Sequence, residues 1–286
     1  MIKEGQRVNI DVTAPGATLA LGLMFLRSNN EAVAGRLRVP DTQFLLDYVR
    51  PDFILLRVVA RSLVMWDAVE PTNRWLADLT PRFIRAQTTL MRPPPDLRGG
   101  NATGASAGSD ENEASGQIST ADLASINQAQ ANIVAGACLA IGLRFAGTAN
   151  AEAFEWLSSR VDRFVDLLAG RAVVGLSRAT AETCLSTAAI ALSLVMAGTG
   201  NLAVLRTLRR LRARRDDALR YGDHLAISMA IGFLFLGAGT ATLGRSNADI
   251  AALLIAVFPR FPDSSSDNRY HLQVRAEKGG GVAVVG

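Results

Sequence analysis

Two histidines, two cysteines and a few glycine clusters are the residues through which this chain could do acid–base, thiol or phosphate chemistry. Catalysis needs a convergent set of titratable groups, and two histidines are a poor supply. His224 stands just before an apolar run, where it caps or packs, and His271 lies in the polar stretch Asn268-Arg269-Tyr270-His271. Cys138 and Cys184 sit inside uncharged apolar runs, the setting of small core residues in a reducing compartment rather than of a disulfide or metal site. The clusters Gly147-Thr-Ala-Asn150 and Gly198-Thr-Gly200-Asn201 resemble phosphate loops only superficially. No strand precedes them and no Gly-Lys-Ser/Thr follows. They follow helical runs, so left-handed helix stops and tight turns account for them. No catalytic residue, metal or cofactor is expected.

Basic residues offer binding rather than catalysis. Net charge is +4, and the excess is concentrated between Leu205 and Arg215, where six of eleven residues are arginine: Arg206, Arg209, Arg210, Arg212, Arg214 and Arg215. Leu205, Leu208 and Leu211 keep one face of that stretch apolar. It therefore reads as an amphipathic outer helix whose long stems cover their neighbours, or as a dock for an acidic partner segment. The modest overall excess argues against nucleic acid.

The elements that must carry these residues are helical. Hydrophobic residues make up 49% of the chain and aromatic ones 6%, so the apolar mass is Ala, Leu, Val and Ile, suited to close helix packing. Thr183 to Leu205 and Leu225 to Gly244 carry no charge and are long enough to raise the question of a membrane span. Glycine clusters near their ends should stop each helix after about 15 residues, about 22 Å of rise, short of the roughly 30 Å hydrocarbon core. No membrane segment is expected, and Met1 to Asp11 lacks the apolar run of a signal peptide.

An internal repeat organises the rest. GATLALGLMFLRSNN from Gly16, GACLAIGLRFAGTAN from Gly136, TAAIALSLVMAGTGN from Thr187 and AISMAIGFLFLGAGT from Ala226 share one register, and LRVVARSLVMWD from Leu56 is a weaker copy. An alanine recurs at Ala20, Ala60, Ala140, Ala191 and Ala230, followed two residues on by Gly22, Ser62, Gly142, Ser193 and Gly232. The markers are spaced by 40, 80, 51 and 39 residues, a helical-hairpin period of about 40 with one doubled interval. The first helix of each unit is apolar all round and belongs inside a stack, its small residues allowing close approach. The second is amphipathic, as in Ala151 to Leu168, and belongs outside. In the last unit Ser246 or Asn247 should cap a helix with Asp249 in its first turn and Pro259 beyond its end. Arg92 to Gln130, with Pro93-Pro94-Pro95 and then Ala, Ser, Gly and Asn, reads as a disordered insertion in one domain of residues 8–273. Residues 274–286 read as an unstructured tail.

AIGLRFAGTAN at Ala140 and ALSLVMAGTGN at Ala191 resemble the proteasome/cyclosome repeat. VNIDVTAPGATLALGLMFL from Val8, VRPDFILLRVVARSLVMWD from Val49 and FPRFPDSSSDNRYHLQ from Phe258 resemble the form of that repeat in the largest subunit of the anaphase-promoting complex, up to Gln273. The resemblance implies an all-α solenoid, closed or nearly closed into a ring. It further implies a non-catalytic scaffold of a ubiquitin ligase in mitotic control, nuclear and cytoplasmic, near the Doc-domain subunit, the cullin-like subunit and the N-terminal region of the WD40 coactivator. The other reading is a receptor-type scaffold subunit of the proteasome regulatory particle.

Overall fold

The structure, a computed structural model, describes residues 3–4, 7–8, 10–88, 119–170, 175–216, 219–264 and 266, with side chains from residue 13 onward. His271, the tail 274–286 and residues 92–118 of the expected insertion lie outside these. Among the described residues the fold is all-helical apart from one antiparallel pair of two-residue strands, β1 (Lys3–Glu4) and β2 (Arg7–Val8).

Five apolar helices form the inner layer: α1 (Ile10–Met24), α4 (Pro51–Val64), α7 (Thr120–Arg144), α9 (Arg178–Val195) and α11 (Tyr221–Leu234). Each packs on the next in chain order. Between them run α2 (Glu31–Arg36), α3 (Gln43–Asp47), α5 (Asn73–Leu79), α6 (Arg82–Gln87), α8 (Ala151–Leu168), α10 (Leu202–Arg212) and, after α11, α12 (Asn247–Ala256). These intervening helices cross forward: α2 packs on α4, α5 and α6 on α7, α8 on α9, and α10 on α11, whereas α12 turns back to touch α7. Most of them begin at a side-chain cap of the expected kind. Asn150 accepts from the Ala153 N–H at the start of α8, and Ser246 and Asp249 form a reciprocal capping box on α12, each such cap contributing about 1 kcal/mol.

The repeat register has a direct structural meaning. A Cβ added at Gly22 would lie 2.9 Å from Ala60 Cα, and one at Gly142 would lie 2.8 Å from Ala191 Cα. The marker of one inner helix therefore sits on the alanine two residues before the marker of the next. Ser62, Ala140, Ser193 and Ala230 are buried at the corresponding places. The row also has ends. Ala20 on α1 is exposed, and an added Cβ at Gly232 on α11 would meet nothing within 4 Å. These two expected contact positions thus have no inner-helix neighbour among the described residues.

Beyond four of the five markers the chain turns in one way. The residues five and seven places on are left-handed in four copies: Arg27 and Asn29, Gly147 and Ala149, Gly198 and Gly200, Gly237 and Gly239. In three of these copies their N–H groups bond to the next inner helix, from Arg27 and Asn29 to the Leu63 and Val64 carbonyls, from Gly147 and Ala149 to Leu194 and Val195, and from Gly198 and Gly200 to Phe233 and Leu234, at 2.8 to 3.0 Å. The acceptors are in every case one and two residues past the next marker. The inner helices therefore run in one sense with their C-terminal turns side by side. The glycine clusters at 147 and 198 are the helix stops expected of them, and α9 ends at Val195, before Gly198.

One boundary is corrected. The expected insertion ran to Gln130, but helix α7 begins at Thr120, capped by Ser119, and Ile126, Asn127 and Gln130 are buried. The Ala-, Ser- and Asn-rich composition reads as solvated, yet small residues suit a helix held between α4 and α9, and the Thr88 hydroxyl bonds to Asn127 Oδ1 at 3.2 Å. Helix α7 and the segment Tyr221–Gly239 are long and apolar enough to cross a membrane, but the apolar window of α7 is 94% buried within the fold.

Two outcomes follow for thermal melts. Gly142→Ala should destabilise by about 1 to 3 kcal/mol through the clash with Ala191, while Gly232→Ala, placed in open space, should be neutral or stabilising by up to about 1 kcal/mol from helix propensity. Equal effects would show that the seam is not tight. A deletion of 95–118 and one of 95–128 should differ by more than about 5 °C in Tm, since the second removes the Ser119 cap and buried Ile126.

Candidate functional site

Helix α10 places its leucines as the pattern requires, with Val204, Leu208 and Leu211 buried and Leu205 half-buried. Arg206, Arg209, Arg210 and Arg212 are exposed on its other face. Three of them stand in the last turn, where cations oppose the negative end of the helix dipole. Arg214 and Arg215 lie beyond the helix end at Arg212. Arg215 is exposed, but Arg214 departs from the expected binding face. Its guanidinium pairs in bidentate fashion with Glu182 of α9, Nη1 to Oε2 at 3.0 Å, and the Glu182 side chain is only 2% exposed. A carboxylate so buried needs its partner, and the pairing across 32 positions left no local trace in the sequence. Neighbouring Asp216 pairs with Arg178 at the start of α9.

The cysteines take the inert role expected of them. Both are free and fully buried. Burial pushes the Cys138 thiol up to about 12, and pushes Cys184 up as well, so both stay protonated at neutral pH. His224 is half-buried on α11. Among the described residues no group of three or more His, Cys, Asp or Glu is placed to hold a metal ion.

A second basic cluster was not singled out from sequence. At the C-terminal turns of α1, α4 and α7, Arg27 and Arg144 lie against the Trp66 ring, with guanidinium carbons 4.7 and 5.5 Å from its centroid. Trp66 and Asp67 belong to a 3-10 turn, Trp66–Ala68, that follows α4. Arg144 faces Asp67 at 3.6 Å, Asn29 donates to Asp67 at 2.7 Å, and Arg27 donates to the carbonyl of Arg245, just before α12. Arg27, Trp66, Asp67, Arg144 and Arg245 line an open surface cavity of about 320 Å³. The only signal in the sequence was positional. Arg27 occupies a turn position that is glycine in three other copies, and Arg144 stands two residues past a marker.

Reversing charge at Arg209, Arg210 and Arg212 should lower Tm by only a few degrees, through lost dipole compensation at an exposed helix end. Arg214→Ala should destabilise by about 3 kcal/mol by leaving Glu182 buried without its cation. Urea denaturation of the two variants checks this, and equal midpoints would remove Arg214 from the fold's interior.

The family model described as the APC1 fifth domain matches residues 2–276. Anaphase-promoting complex subunit 1 of Mus musculus is 43% identical over 272 residues, covering 95% of this chain and 13% of that protein. Its counterpart in Dictyostelium discoideum is 41% identical over 284 residues, 95% of this chain and 12% of that protein. A protein of Emericella nidulans named negative regulator of mitosis is 38% identical over 267 residues, 92% of this chain and 12% of that protein. The chain thus spans about an eighth of the length of these relatives. With its repeat copies, its helical seam and a match over nearly all its residues, the chain belongs to the APC1 fifth-domain family.

Proposed function

We propose that this chain is a non-catalytic scaffold domain of an anaphase-promoting complex, a ubiquitin ligase of mitotic control, working in the nucleus and cytoplasm. The observation that carries the reading is the seam of inner helices tied turn to turn by the same backbone bonds, an architecture that presents surfaces rather than an active centre. Names of the relatives support the assembly, and they favour it over the proteasomal alternative. The units are read as an alpha-solenoid closed or nearly closed into a ring. The bond from Arg27 to Arg245, which brings the first and last units together, and the return of α12 to α7 support this.

The partners proposed are the Doc-domain subunit, the cullin-like subunit and the N-terminal region of the WD40 coactivator, with no nucleic acid and no membrane. Arg206, Arg209, Arg210, Arg212 and Arg215 are the proposed contact for an acidic partner segment. Like charges so close repel one another, and an acidic segment relieves that repulsion while steering association.

Affinity capture of the full-length protein should recover the three named subunits. Recovery of proteasome base subunits instead would overturn the assembly. Full-length protein carrying R209E, R210E and R212E together should lose at least one of the three at physiological salt, and normal recovery of all three would release α10 from the binding role.

A further inference from the structure

The bond ladder between neighbouring inner helices is missing at one place. By the register of the other copies, Asp67 and Val69 would donate to Leu143 and Arg144 across the α4 and α7 seam. Instead the chain after α4 forms the 3-10 turn Trp66–Ala68, and Arg144 reaches back over Trp66 toward Asp67. Arg27 is a second departure in the same spot, a bulky residue in a left-handed conformation at φ 61° where three other copies have glycine. Departures from a repeated rule mark functional positions more often than scaffold ones. Here two of them meet in one cavity.

We propose that this cavity binds a phosphorylated serine or threonine side chain on an extended segment of a partner protein. Three arginines, Arg27, Arg144 and Arg245, line it against one acid, Asp67; the Arg27 and Arg144 guanidinium groups lie against Trp66, and Arg245 is exposed beside them. That leaves a net charge of +2, three cations less one anion, which matches a phosphate monoester near −2 better than a single carboxylate. Trp66 is 3% exposed and holds the two nearer guanidinium planes in place. Arginine forks fixed in advance are suited to bidentate phosphate contacts. The Nε atoms of Arg27 and Arg144 are covered and have no hydrogen-bond partner among the described residues, so stacking rather than a full set of acceptors holds these side chains. Asp67 is 67% exposed and can swing away as phosphate displaces it from Arg144. About 320 Å³ accommodates a phosphorylated side chain and a little backbone. The binding is a property of this chain and does not depend on the assembly it serves.

The competing account is structural: Arg27 and Arg144, at the C-terminal ends of α1 and α7, compensate the negative ends of the dipoles and bind nothing. Titration of the ¹⁵N-labelled chain with N-acetyl-phosphoserine amide, followed at the Trp66 indole and the Arg27 and Arg144 Nε–H signals, separates the two. Saturable shifts are expected, with N-acetyl-serine amide and N-acetyl-aspartate amide at least about tenfold weaker, as follows from the charge-assisted contacts a phosphate adds. Arg245→Met, an exposed position that spares the fold, should weaken binding about fivefold, and Asp67→Asn should strengthen it by removing the competing charge. The proposal is overturned by the absence of saturation, by equal affinity for the aspartate compound, by response to inorganic phosphate alone, or by affinity unchanged in Arg245→Met. A chain in which Arg144→Met lowers Tm and no phosphoserine binding is seen with the wild type would establish the structural account.

Discussion

Three of the four joints between inner helices rest on two backbone bonds repeated from unit to unit. There the chain must aim two N–H groups sideways at the last carbonyls of its neighbour, and that aim requires left-handed residues five and seven places beyond the marker. Glycine adopts that conformation without penalty, while Arg27, Asn29 and Ala149 do so at roughly 1 kcal/mol each. A buried hydrogen bond contributes about as much, so the turn holds even where glycine is absent. The small markers serve the same bonds. Gly22 on Ala60 and Gly142 on Ala191 bring the backbones near enough for two of these turns to meet, and small, buried Ser193 and Ala230 stand at the third such joint.

Close approach also explains the composition of the inner layer. Helix α7 is enclosed by α4 on one side and α9 on the other, and from Ala129 to Leu143 every residue is buried. Large side chains on all faces would hold the neighbours apart, so alanine, glycine, serine and cysteine carry much of that surface. Polar residues are tolerated there when the helix itself satisfies them, as Ser62 bonds to the Val58 carbonyl and Asn132 to that of Gln128. The outer helices have the opposite task, and α8 meets it with Leu157, Val161 and Phe164 turned inward.

Local patterns were legible in the sequence and distant pairings were not. The span of α8, a cap at Ser246 with Asp249 in the first turn and the glycine stops depend on residues a few places apart and are found where the spacing put them, while the marker register is a contact row that breaks off at Ala20 and Gly232. The first turns of α7 do not show in the sequence, because Thr120 to Gln130 has the composition of a solvated segment and its burial comes from α4, α6 and α9 rather than from its own apolarity. Arg214 reads as an outer-face residue for a similar reason. Its run of arginines is visible, but Glu182 is on another helix. The cluster around Trp66 draws on residues from 27 to 245, a convergence no linear pattern displays.

A consequence attaches to the one seam closed by side chains. Where main-chain groups tie two units together, side chains away from the left-handed positions can be exchanged, while an added Cβ at Gly147 or Gly198 would strike Thr242 or the Ala241 carbonyl. At the joint between α4 and α7 an indole and a guanidinium stand in place of those bonds, with an exposed carboxylate beside them. Mutational drift along the chain should therefore be uneven, constrained by backbone shape at the main-chain joints and by the Trp66 and Arg144 pair at this one. Substitutions here would have to arrive as compensated sets. Insertions should find the same boundary in reverse, for the longest interval between markers, 80 residues, lies between Ser62 and Gly142, where no ladder dictates how the chain gets from one helix to the next.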